Sequence, residues 1–320
     1  MPHIPVEYTP PFLFRSGHLA TIYHGLFRRV RGLDQERERV QLWDSDFIDL
    51  DWSYSDSPTH KVVILLHGLE GNAQRPYITG SARAFNKAGY DACAVNFRGC
   101  SGETNKLFRS YHSGATEDLH AVIQHILGTK DYSELYIKGF SLGGNMAMKY
   151  LGEGRNLPPQ LKAAVGVSVP CDLHESLKRL LSRENYLYAR RFLKHLVRKL
   201  KEKQKMFPEE LPDRLLKRIR NLKDFDDLYT SVAHGFKDAE DYYEQCSALQ
   251  FLPNIHLPAL IINAKDDSFL GNACYPFDIA RINPALYLET PGYGGHVGFY
   301  GEQNITYSEK RSINFFEDLS

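Results

Sequence analysis

Residues 134–150 read ELYIKGFSLGGNMAMKY, and the middle of this stretch constrains the fold more than any other part of the chain. Tyr136, Ile137 and Lys138 predict a short strand ending at Gly139. A run of helix formers begins at Gly143, so Gly139-Phe140-Ser141-Leu142-Gly143 falls on a strand-to-helix junction. Glycines two places either side of Ser141 remove the Cβ atoms that would collide in so sharp a turn, and the serine is lifted clear of the sheet. Ser141 is therefore a candidate nucleophile, with a purely structural turn as the alternative.

The surrounding pattern predicts what such a strand sits in. Val40–Trp43 and Phe47–Asp51 alternate as two short antiparallel strands, after an irregular, Pro-rich N-terminal arm over residues 1–30. Lys61–Leu66, Asp91–Phe97 and Leu161–Val169 are apolar runs of the kind covered on both faces, and helical stretches at Tyr77–Ala88 and Thr116–Ile126, the latter with Thr116 as N-cap, separate them. Strand and helix in alternation imply an open parallel sheet with helices on both faces. Right-handed crossovers bring the loop after each strand to the same carboxyl edge. There His67-Gly68-Leu69-Glu70-Gly71 can offer the backbone N–H of Leu69 beside that of Leu142, a pair of donors for a negatively charged oxygen. Arg98-Gly99-Cys100-Ser101-Gly102 has no dinucleotide or phosphate-loop signature and is expected to pack at the rim, as is His112.

Composition changes after Pro170. From Lys178 to Lys223 there are 16 Lys or Arg against 5 Asp or Glu, a local net charge near +11 in a chain that balances 39 basic against 39 acidic residues. Leu177, Leu180, Leu181, Tyr188, Phe192, Leu196, Val197 and Leu200 recur at helical spacing. Residues 171–245 thus read as a helical cap inserted into a core of residues 1–170 and 246–320, with further helices over Pro212–Ile219 and from near Asp238. Its basic face is a solvated helix surface, or one that draws anionic substrates or lies against acidic lipid. Nucleic acid fits poorly, for no aromatic interleaving accompanies the charge.

Leu257–Asn263 resumes the buried-strand pattern and runs into Asp266 and Asp267. A carboxylate just after a late strand is where the acid of a Ser, Asp, His set must fall in this topology. Both aspartates are eligible, and the turn after Ala264 favours Asp267. A helix over Asn272–Arg281, a last strand at Leu286–Glu289 and a closing helix over Ser308–Leu319 complete the pattern. Between the last strand and that helix, His296 follows two glycines and is the candidate general base. No metal or organic cofactor is implied. Five scattered cysteines without ligand spacing fit a reduced, cytoplasmic protein. No apolar run approaches the roughly 20 residues of a spanning helix, and no secretion signal is legible.

FRSGHLATIY from Phe14, HGLEG from His67, NFRGCSGETN from Asn96, RSYHSGATEDL from Arg109, GFSLGGN from Gly139, AEDYY from Ala239, NAKDDSF from Asn263 and GGHVGF from Gly294 together resemble the YheT-like esterases of the α/β-hydrolase superfamily, which group with the α/β-hydrolase-domain lipases. The resemblance implies a mostly parallel central sheet of about eight strands with a helical cap. It also implies a Ser141, Asp267, His296 triad and action on acyl esters as a serine carboxylesterase or lipase. Ser268 departs from the family, which commonly carries proline there. The apolar side of the cap suggests a small-molecule or lipid-like substrate with a hydrophobic acyl chain. A thioesterase or acyltransferase would use the same residues, and a non-catalytic binding protein could retain the fold.

Overall fold

The apolar runs assemble into one eight-stranded sheet: β1 (Glu36–Gln41), β2 (Phe47–Ser53), β3 (Lys61–Leu66), β4 (Asp91–Asn96), β5 (Glu134–Phe140), β6 (Leu161–Val167), β7 (Ala259–Ile262) and β8 (Leu286–Glu289). The computed structural model describes residue 6 and residues 8–319; the start of the expected N-terminal arm, residues 1–5 and 7, lies outside them. Strand order is β1-β2-β4-β3-β5-β6-β7-β8, parallel from β4 to β8, with β1 and β2 antiparallel at one edge. Side chains of a strand point alternately to opposite faces, and β3 divides accordingly. Val62, Ile64 and Leu66 join one core with α3 (Thr116–Thr129) and α4 (Leu142–Gly152). Val63 and Leu65 join a second core with α2 (Pro76–Lys87) and the C-terminal helix Tyr307–Glu317. The helix Gly17–Ile22, α1, precedes the sheet and continues into a wider turn over Tyr23–Phe27.

Between β6 and β7 the chain leaves the sheet and builds α5 (Leu173–Leu180), α6 (Tyr186–Gln204), the one-turn helices α7 (Asp213–Leu216), α8 (Leu222–Phe225) and α9 (Ser231–His234), and α10 (Ala239–Cys246). Leu196, Leu200, Leu211, Leu216, Phe225 and Tyr229 give this cap a core of its own, against which Leu69 and Phe108 pack. Polar ties hold it to the sheet loops. Lys203 Nζ, buried, donates to Asn105 Oδ1 at 2.7 Å and to the Leu107 carbonyl at 2.6 Å, while Asn185 Nδ2 donates to the carbonyl of Ser268 at 2.7 Å. The remaining helices are α11 (Phe277–Ile282) and α12 (Tyr307–Glu317), the latter opened by a capping box of Thr306 and Glu309.

Several boundaries differ from the sequence reading, each for a visible reason. The first strand starts at Glu36 rather than Val40, because Arg37 and Arg39 sit opposite Asp51 and Asp49 and pair with them at 2.7 and 2.8 Å. Charge pairs across strands stabilise a ladder that apolar alternation does not reveal. Thr116 is the first residue of α3 and not its cap; its hydroxyl donates to Glu153 Oε2 at 2.9 Å instead. The expected helix over 272–281 is broken at Pro276 into a 3-10 turn, Asn272–Cys274, and α11, since proline cannot supply an interior helix N–H. The helix expected over Pro212–Ile219 shrinks to α7. No helix among the described residues is long and apolar enough to cross a membrane.

Candidate active site

Strand β5 delivers Phe140 to the sheet edge and α4 begins at Leu142, leaving Ser141 alone at φ 52°, ψ −119°. A non-glycine residue held there is strained by roughly 1–3 kcal/mol, and such strain persists only where the surroundings enforce it. They do so through backbone contact. A Cβ at Gly139 would stand 2.3 Å from the Gly143 carbonyl oxygen, and one at Gly143 would stand 2.6 Å from the carbonyl oxygens of both Leu66 and His67. The Ser141 N–H donates to Val167 O at 2.9 Å, pinning the turn to β6.

His296 Nε2 lies 2.9 Å from Ser141 Oγ, and its Nδ1 lies 2.8 Å from Asp267 Oδ2. With the carboxylate accepting, Nδ1 carries the proton and Nε2 is free to accept one from the serine. The second carboxylate oxygen of Asp267 accepts the Phe269 N–H at 3.0 Å, and the Phe269 ring packs on the imidazole, 4.3 Å between centroids. Asp266 faces away from the ring: its Oδ1 accepts the Gly295 N–H at 2.8 Å and so shapes the histidine loop. Ser268, where the resembling family carries proline, donates through Oγ to Asn185 Oδ1 at 2.8 Å, tying the acid loop to the cap.

The loop after β3 approaches the serine so closely that a Cβ on Gly68 would lie 3.1 Å from Ser141 Cβ. Its N–H groups are consumed on either side of Leu69: Gly68 donates to Tyr77 Oη, Glu70 to Tyr111 Oη and Gly71 to the Gly68 carbonyl. Leu69 N–H has no acceptor among the described residues. Leu142 opens α4, where first-turn N–H groups have no intrahelical partner. Neither N–H is consumed by a backbone partner, which leaves both open to an incoming acceptor.

Other residues holding this arrangement escaped sequence reasoning. Buried His67 donates from Nδ1 to the Gly68 carbonyl at 2.8 Å and accepts the Phe97 N–H at Nε2; burial lowers its pKa to about 3, which keeps it neutral in this role. Glu70 Oε1, nearly inaccessible, accepts from Tyr111 Oη and from Lys199 Nζ of α6, both at 2.9 Å, linking cap and loop. Thr21 of α1 accepts the His296 N–H at 2.8 Å. Glu70 and Lys199 are separated by 129 residues and no spacing rule connects them; only the HGLEG block hinted that the loop carries more than its donors.

A cavity of about 300 Å³ opens at Ser141, walled on the cap side by Leu177, Leu180, Phe192, Leu196 and Phe225 and on the core side by Leu69. His112 borders it and is also hydrogen-bonded, accepting the Gly114 N–H at 3.2 Å. Burial first, and then His234 beside it, holds its pKa well below the ordinary value. In the Arg98–Gly102 loop the Arg98 guanidinium is taken up by Asp118, Asp46 and Asp44, and Arg98 and Gly99 both border the cavity. Among the described residues no group of three or more His, Cys, Asp or Glu side chains is placed to hold a metal ion.

The chain belongs to the α/β-hydrolase family, whose model matches residues 61–303. Its place there is among the YheT-like esterases, and it is a serine hydrolase of the esterase and lipase type. The protein named "Putative esterase YheT" of Escherichia coli (strain K12) is 38% identical over 92% of this chain and 87% of its own length. Phospholipase ABHD3 of Mus musculus is 31% identical over 82% of this chain, and a monoacylglycerol lipase of Saccharomyces cerevisiae is 31% identical over 76%. The chain spans 66% and 56% of those two longer proteins. Among solved structures, the esterase Pf2001 of Pyrococcus furiosus superposes with a TM-score of 0.59 at 17% identity, covering 90% of this chain and 93% of that one, which establishes the shared fold.

Proposed function

We propose that Ser141, His296 and Asp267 form a catalytic triad that hydrolyses carboxylic esters of hydrophobic acyl chains. The observation that carries this reading is the relay of Ser141 Oγ, His296 and Asp267 at 2.9 and 2.8 Å, opening into an apolar cavity. His296 takes the hydroxyl proton as Ser141 Oγ bonds to the ester carbonyl carbon, and the carbonyl oxygen becomes an oxyanion held by the Leu69 and Leu142 N–H groups. Collapse breaks the ester C–O bond; the alcohol leaves with the proton from His296, and the acyl group stays on Ser141. Water then attacks the acyl-enzyme, giving its proton to His296. The second collapse releases the acid and returns that proton to the serine. All five cysteines are buried and unpaired, which supports a reducing compartment, the cytoplasm, as its location.

The reading is tested with p-nitrophenyl esters of increasing acyl length. Ser141→Ala should abolish turnover and labelling by a fluorophosphonate while leaving the melting temperature unchanged; native-level activity in the purified variant would overturn the assignment. Each methylene that enters the cavity is worth about 0.8 kcal/mol, so kcat/KM should rise roughly fourfold per added CH2 until the cavity is filled. Acyl-coenzyme A and an alcohol acceptor in the same panel separate hydrolysis of oxygen esters from thioester cleavage and acyl transfer.

A further inference from the structure

The mouth of the cavity is bounded by two helical segments whose outward faces are of an unusual kind. On one side, Ile22 and Leu26 of the 17–27 segment line the cavity. Leu26 is nonetheless 52% exposed, as is Leu19, at 49%, one turn before Ile22. On the other side Tyr188 of α6 lines the cavity and meets His18 of α1, with 3.3 Å between His18 Nδ1 and the tyrosine hydroxyl. The residues next to it, Tyr186 and Leu187, are 59% and 75% exposed. The turn preceding α1 also leaves Phe12 and Leu13 exposed. Large apolar side chains left in water around a cavity entrance mark an interaction surface more often than chance exposure does.

Charge says what kind. Exposed Arg183, Arg190, Arg191, Lys194 and Arg198 follow one another along the first two thirds of α6 and the turn before it. The one acid among them, Glu184, is engaged by Arg179. Arg191 itself borders the cavity. Aromatic and aliphatic side chains beside a row of cations are the composition of a surface that lies in the interface of an anionic bilayer, where apolar groups enter the acyl boundary and Lys or Arg meet the headgroups. An acyl chain leaving such a bilayer between the two segments would reach Ser141 without crossing bulk water.

We propose that the cavity mouth formed by residues 17–27 and the start of α6 is a docking surface for an anionic lipid bilayer. The purpose of docking, delivery of a lipid-like ester, rests on the hydrolase reading; the binding itself does not.

The test is flotation of the full chain with phosphatidylcholine vesicles, with and without phosphatidylglycerol, read beside turnover of a water-soluble short-chain ester. Docking through this face predicts partition at least tenfold stronger into the anionic vesicles, weakened by salt. It also predicts that the pair Leu19→Ser and Leu187→Ser, and separately the pair Arg190→Glu and Lys194→Glu, reduce that partition about tenfold or more while soluble-ester turnover stays at the native level. Equal or absent partition into the two vesicle types would overturn the proposal, as would variants that float like the native chain. A native dimer that the Leu19/Leu187 variant converts to monomer would reassign the face to a second copy of the chain. Vesicle binding without any ester turnover would remove the hydrolase reading and leave the docking surface standing.

Discussion

Replacing Gly143 with alanine sets two physical effects of opposite sign against each other. Residue 143 lies in the first turn of α4, and alanine in place of glycine improves helix propensity by up to about 1 kcal/mol. The new Cβ, however, would stand 2.6 Å from the carbonyl oxygens of Leu66 and His67 and 2.8 Å from the Leu66 carbonyl carbon. Ordinary contact begins at 3.4 Å, so α4 must retreat from the end of β3 by about 0.8 Å. The crowding atoms belong to the backbone of the central strand and the loop after it, with no side chain to swing aside. Overpacking of this kind costs roughly 1–3 kcal/mol; set against the propensity gain, the net change is about 0–2 kcal/mol, destabilising.

The same retreat moves Ser141 and the Leu142 N–H away from Leu69. A displacement near 1 Å at reacting groups costs on the order of 10²-fold in rate. The variant should therefore unfold at a lower temperature and lose about two orders of magnitude in kcat/KM on a p-nitrophenyl ester. A fluorophosphonate titration corrects the rate for the fraction of folded, reactive serine. Native kcat/KM together with an unchanged or raised melting temperature would refute the close approach of α4 to β3 and, with it, the account of why the turn needs this glycine.

Asp267→Asn should lower kcat by about 10³- to 10⁴-fold with little change in KM, since an amide facing Nδ1 favours the wrong imidazole tautomer. Asp266→Asn keeps an acceptor for the Gly295 N–H and should retain activity within a few-fold; the reverse ranking, measured in parallel, would exchange the two roles. Stability should fall as pH drops from 6.5 to 5. Burial lowers the pKa of His67 and His234 to about 3, that of His24 to about 4, and that of His112 well below its ordinary value. These rings bind protons near pH 6.5 only once unfolded, so each withdraws up to about 1.4 kcal/mol per pH unit below that point. Asp226, raised to about 6 by burial, acts in the opposite direction, as do Asp118 and Asp266, which burial also raises, so the four rings set the sign and the carboxyls reduce its size. A melting temperature that stays flat across this range would show that the four rings are not held neutral.

Much of the architecture was legible because it rests on local pattern. The continuous apolar runs of β3 to β7 and the helical stretches between them dictate a parallel sheet, and the glycines around Ser141 dictate a tight turn wherever that sheet ends. Legibility failed where stability comes from pairing at a distance. Arg37 and Arg39 make a strand only because Asp51 and Asp49 lie opposite. Thr116 looks like a cap until Glu153 takes its hydroxyl.

The order serine, aspartate, histidine, and the loop positions that bear them, follow from the sequence alone, because right-handed crossovers leave one edge at which they can meet. Which aspartate turns to His296 does not. Two adjacent carboxylates differ only in the direction each side chain takes from a turn, and that direction is set by Gly295, Phe269 and the cap residue Asn185 acting together. The same holds for Glu70 and Lys199: a charge pair closed across 129 residues has no local signature, and only the packed cap brings it into being.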